Sequence, residues 1–121
     1  MHREVYWKYV KKNRYGNVAQ KTSYKGITYH SKLEAKFAQD LDNRKLAGDI
    51  KDWKRQIPFR IISEGVSFGT YYVDFAIEHN DGTIEYAEVK GKGLSAGMNK
   101  FRWLEKKFEG DPKVIVRLYR G

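Results

Sequence analysis

The chain contains no cysteine. That excludes disulfides, thiolate zinc sites and cysteine nucleophiles, and it fits a reducing compartment, here expected to be the cytoplasm. No apolar run approaches the ~18 residues of a membrane span, and Met1-His2-Arg3-Glu4-Val5-Tyr6-Trp7 lacks the apolar stretch of a secretory signal. The three histidines, His2, His30 and His79, form no metal-ligating set by spacing, although His30, beside Ser31, is placed to line a cleft. The Gly-x-x-x-x-Gly-Lys-Ser/Thr order of a nucleotide P-loop is missing. No repeat or low-complexity linker is present. The 121 residues suffice for one domain, and 40% apolar with 15% aromatic content supplies a core.

Positive charge is what the chain has in excess. Residues 1–60 carry 15 basic and 6 acidic side chains, whereas the second half carries nine of each. A basic half on a small chain without an amphipathic basic helix points to a polyanion, nucleic acid before a membrane surface. Residues 1–23 read as a basic, aromatic arm, with Lys11, Lys12 and Arg14 as DNA contacts, ahead of a domain spanning 24–121.

Within that domain, residues 24–30 suit a short strand or hairpin. A helix starts at Ser31, whose spacing to Glu34 is that of a capping box, and stops at Gly48. Leu33, Phe37, Ala38 and Leu41 share its apolar face. Extended stretches follow at 57–63, 70–78 and 83–90, the last two joined by a tight turn at His79-Asn80-Asp81-Gly82. A glycine loop at 91–97 precedes a helix over 99–108 with a Phe101, Leu104, Phe108 stripe. Trp103 is expected to point away from that stripe, amid Lys100 and Arg102. A strand over 113–119 closes an α/β domain in the order α-β-β-β-α-β, with a mixed central sheet flanked by helices.

Asp74 interrupts an apolar strand, Tyr71 to Ile77, where alternation turns it the same way as Tyr72 and Ala76. Glu88 and Lys90, two apart, share a face. If the strands pair, Asp74 approaches Glu88, and two close carboxylates need a cation between them. Oxygen ligands without cysteine favour Mg²⁺, with Mn²⁺ able to substitute. Glu34 is a third acid, on the helix face that packs against the sheet. The blander readings are a capping residue at Glu34 and a surface stripe at Glu88 and Lys90.

Asp74 followed by Glu88-Val89-Lys90, preceded by a helix carrying Glu34, resembles the PD-(D/E)XK nuclease superfamily, with Val73 at the position of the name-giving proline. The resemblance covers residues 24–119 and implies a restriction-endonuclease-like core. Tyr29-His30-Ser31-Lys32-Leu33-Glu34-Ala35 and Glu88-Val89-Lys90-Gly91 are most similar to small phage-type endonucleases, including Holliday-junction resolvases, which would act in the cytoplasm of a bacterial host. The resemblance implies catalysis by Glu34, Asp74, Glu88 and Lys90. It implies a metal held by Asp74, Glu88, the Val89 carbonyl and Glu34, with Gln56 orienting water or ligands. Lys92, Lys100 and Arg102 would join the arm in contacting DNA.

The function expected is a metal-dependent DNA endonuclease selective for branched DNA and working as a homodimer, since paired cuts need two sites. The alternatives are a nicking or restriction-type nuclease that reads sequence, and a non-catalytic nucleic-acid-binding module.

Overall fold

The computed structural model describes residues 22–91 and 98–121. Strands β1 (Thr22–Tyr24) and β2 (Ile27–Tyr29) form an antiparallel ribbon. Its turn residues Lys25 and Gly26 both have positive φ, 49° and 77°, the geometry that matches the twist of a tight hairpin. Strand β1 includes Thr22 and Ser23, the last two residues of the segment expected to be the arm. Lys11, Lys12, Arg14 and Lys92 lie outside the described residues.

Helix α1 (Lys32–Leu46) is capped by Ser31, whose Oγ accepts the Glu34 N–H at 3.1 Å. Gly48, at φ 83°, ends it as expected of a left-handed glycine stop. Strands β3 (Asp52–Ser63), β4 (Val66–Glu78) and β5 (Ile84–Lys90) run antiparallel. Helix α2 (Met98–Lys107) then leads into β6 (Val114–Arg120), parallel to β5. The sheet order is β3-β4-β5-β6, so the described residues form an α/β fold with a mixed four-stranded sheet, a two-stranded ribbon and two helices. No helix among the described residues is long and apolar enough to cross a membrane.

The two helices cover opposite sheet faces. Leu33, Phe37, Ala38 and Leu41 of α1 pack on Phe75, Ile77, Ala87, Val89 and Tyr119. Leu104 of α2 packs with Tyr71 and Val73, joined by Phe59, Tyr86 and Val116. Trp103 does not point away as expected. It is half-buried in this second core, 6.5 Å from the Phe59 ring, because the long β3–β4 hairpin extends the apolar surface beneath α2.

That hairpin changes face part-way along. On a regular strand all odd-numbered residues share one side, yet Trp53, Phe75 and Ile77 belong to the α1 core while Ile57, Phe59, Tyr71 and Val73 belong to the α2 core. The change falls at Gln56 and Asp74. The ladder passes from Arg55↔Phe75 to Ile57↔Val73 with no pairing between, and Gln56 has φ 53°. A non-glycine residue in that region costs on the order of 1–3 kcal/mol and persists only where the surroundings impose it. Two helices drawing apolar side chains to opposite faces impose it here.

Candidate functional site

The face change opens the sheet. Pairing between β4 and β5 ends at Phe75↔Ala87, one residue before Asp74, so β5 continues towards Lys90 without β4 beside it. Asp74 fills the gap with its side chain. Its Oδ2 accepts the Val89 N–H at 2.8 Å, and its own N–H donates to Glu88 Oε1 at 3.3 Å. Asp74 therefore reaches the β5 backbone, instead of simply sharing a face with Tyr72 and Ala76, because alternation fails at this residue.

Four of the expected side chains meet at this fork. Glu88 and Lys90 share a face as β5 requires, with Lys90 Nζ 3.4 Å from Glu88 Oε2. Glu34 arrives from the first turn of α1 and is buried, at 6% exposure. Its backbone N–H takes part in the cap, a contact any residue could make. Its carboxyl turns to Asp74 and the His30 backbone and not back to the Ser31 N–H, so the reciprocal half of the capping box is not made and the side chain serves the cleft. His30 Nδ1 stands 3.8 Å from Glu34 Oε2, too far for a hydrogen bond. Glu34 Oε2 is buried without a hydrogen-bond partner among the described residues.

Gathering three acids has an electrostatic consequence. Burial, and then the charge of Glu34, push the Asp74 carboxyl up to about 7. Burial, and then the charge of Asp74, push Glu88 up to about 7, against the pull of Lys90. Glu34 is also raised, chiefly by burial. The fork thus holds more negative charge than it can neutralise, and it relieves this by taking up protons or a cation. As they stand, no three Asp, Glu or His side chains among the described residues have the arrangement of a metal cage. Oxygens of Asp74 and Glu88 are instead turned to the Val89 and Asp74 N–H groups and to Lys90. The orphaned Glu34 oxygen and the oxygen-rich donor set fit a hard divalent cation.

Two further residues adjoin the fork that sequence reasoning did not single out. Tyr71, buried on β4, feels the charge of Glu88, which together with burial raises its hydroxyl. Arg55 on β3 lays its guanidinium over the Tyr29 ring, 4.8 Å from the centroid, and its charge reaches Glu34. Only the register of β3 brings Arg55 here. Gln56 sits at the face change itself, while Lys100 and Arg102 stand exposed on α2.

Three residues before Glu88, β5 carries a second buried acid, Glu85. It is fully partnered: His79 Nε2 lies 2.9 Å from Oε1, the Tyr119 hydroxyl donates to Oε2 at 2.5 Å, and Arg117 Nη1 lies 3.9 Å from Oε1. An open cavity of about 370 Å³ borders this cluster, lined also by Asp49 and Asp81.

No curated protein and no solved structure matches the chain. A family model does: the one described as a protein of unknown function, DUF1064, aligns with residues 12–118, nearly the whole sequence, and the chain belongs to that family.

Proposed function

We propose that the chain is a metal-dependent DNA endonuclease of the PD-(D/E)XK type. The observation that carries this reading is the convergence of Glu34, Asp74, Glu88 and Lys90, from a helix and two strands, where the sheet forks. The element order from α1 to β6, with three antiparallel strands followed by a helix and a parallel strand, supports it.

Asp74, Glu88, the Val89 carbonyl and Glu34 would hold Mg²⁺ or Mn²⁺. When bound, the ion would lower the pKa of a coordinated water and offset the phosphate charge. Hydrolysis joins a water oxygen to phosphorus and breaks the bond to one sugar oxygen. The water loses its proton to solvent or a base, and the departing oxygen takes one up. Lys90, beside Glu88, places a positive charge where negative charge develops on the phosphate. The basic first half of the sequence would hold the DNA backbone, so binding weakens as salt rises. Deleting residues 1–20 is expected to flatten that salt dependence. Two paired cuts by one small domain call for a homodimer on branched DNA.

Cleavage of an end-labelled four-way junction, beside a linear duplex of the same sequences, tests the proposal. With Mg²⁺ the protein should cut the junction in preference, and Glu88→Gln should abolish cutting while DNA binding persists. Equal cutting of both substrates would overturn junction selectivity. Binding without cutting by the wild-type protein would make it a binding module.

A further inference from the structure

The fork contains two buried polar atoms of opposite character that do not satisfy each other. Glu34 Oε2 is an acceptor without a donor among the described residues, and Arg55 Nε is a donor without an acceptor. The two side chains are close enough for the Arg55 charge to act on the Glu34 carboxyl, yet no hydrogen bond joins them. A buried guanidinium N–H left unmade is costly, because its water was removed and nothing replaced it. Such pairs of orphans mark a place where a ligand carrying both signs would fit. A divalent cation satisfies the carboxylate oxygen, and an anion bound to that cation satisfies the guanidinium.

The backbone holds Arg55 in this position. The left-handed Gln56 that follows it sends Ile57 to the α2 face, while Arg55 stays on the α1 side against Tyr29. Tyr29 is 1% exposed, so the ring beneath the guanidinium is fixed by the core. The ring covers one side of the guanidinium, 4.8 Å from its centre, and Nε is buried beside it without an acceptor. An edge-on guanidinium presents two parallel N–H groups at the spacing of two phosphate oxygens. Lysine, a point charge, offers no such fork. Surface lysines bind phosphate anywhere along a backbone, whereas the Arg55 charge acts on Glu34, one of the carboxylates that would hold the ion.

We propose that Arg55 is the phosphate-gripping residue of the fork, binding the phosphodiester that the carboxylate-held cation also contacts. The inference rests on the nuclease reading above. In the reaction Arg55 forms no covalent bond. It orients the phosphodiester and spreads the charge that builds on its oxygens as the water attacks.

Two measurements test this. First, the Arg55 Nε–H resonance is followed by NMR in the wild-type protein with Mg²⁺ while thymidylyl-thymidine, which carries one phosphodiester, is added. A saturable downfield movement is expected as the orphaned N–H gains an acceptor; an unmoved resonance at saturation overturns the inference. Second, single-turnover cleavage is compared for the wild type, Arg55→Ala, Arg55→Lys and Glu88→Gln, with melting temperature and Mn²⁺ affinity measured on each. Arg55→Ala should lose roughly 10²-fold in rate or more, the size usual for one transition-state donor, and keep its Mn²⁺ affinity. Arg55→Lys should stay at least about tenfold slow while melting as the wild type does, because it keeps the charge and loses the two-pronged geometry. Full rescue by lysine would make Arg55 a structural cation only. If Arg55→Ala does not fold, the lysine variant and the resonance decide. Cleavage lost in Glu88→Gln but normal in Arg55→Ala would sink this inference alone, whereas normal cleavage in Glu88→Gln would sink the nuclease reading beneath it.

Discussion

Strand β5 carries two buried glutamates three residues apart, and the protein treats them in opposite ways. Glu85, 2% exposed, is enclosed by His79, Tyr119 and Arg117, so its charge is answered within the fold. Glu88, 4% exposed, faces two other acids and shares one lysine with them, and its carboxyl is pushed up to about 7. Burial is the same; partnership is not. A buried charge that is fully satisfied holds a fold together, while one left in surplus waits for something to bind. On the proposed reading, Glu85 serves stability and Glu88 serves chemistry.

The largest expected effect separates them on activity. Glu88→Gln should lower cleavage by about 10²-fold or more with the fold intact, and Lys90→Ala should do the same while sparing Mn²⁺ affinity. Glu85→Ala should reverse the pattern. Removing one member of a buried charged cluster strands the others, so the variant should lose about 3 kcal/mol or more in denaturant melts. Below its melting temperature it should still cut DNA. A Glu85→Ala protein as stable as wild type would break the comparison.

The next effect is a pH dependence. Asp74 and Glu88 titrate near 7 when folded and near 4 when unfolded, so between those values the folded state holds protons the unfolded state has released. Their contribution to stability is therefore fully present below about pH 4 and is lost as pH rises through about 7. The ion-free protein should melt lower at pH 8 than Glu88→Gln does, with the gap closing at pH 5. Added Mg²⁺ should close the same gap at pH 8. Burial raises Asp42 but its hydrogen bonds outweigh that, and hydrogen bonds also lower Asp52, which is why the comparison is between variants and not between pH values alone. The smallest effect belongs to an exposed pair, Lys51 with Glu78 at 3.5 Å. Lys51→Ala should move stability by less than about 0.5 kcal/mol, because solvent already screens both partners.

Much of this arrangement is legible in the sequence. Ser31 and Glu34 mark the start of α1, its apolar stripe marks the buried face, and Glu88-Val89-Lys90 announces two same-facing charges. The helix between the last two strands gives the parallel crossover. What escapes is set by tertiary packing. Lys54-Arg55-Gln56 shows no apolar alternation, so the first half of β3 reads as loop, and Arg55 is lost with it. The face change at Gln56 and Asp74 has no local signature, because it arises from two helices claiming the same strand pair on opposite sides. Gly69, which looks like a loop residue, lies inside β4 at φ 99°, close to the register shift between Arg60 and Ile62.

The central claim, that the surplus acids of the fork and not the satisfied acid of Glu85 await a cation, is tested most directly by paramagnetic broadening. Mn²⁺ added stepwise to the isotope-labelled protein should first erase the amide signals of Asp74 and Val89, while those of His79 and Glu85 persist, and Glu88→Gln should abolish the effect. Broadening that begins at His79, Asp81 or Asp49, or that is unchanged in Glu88→Gln, would contradict the account.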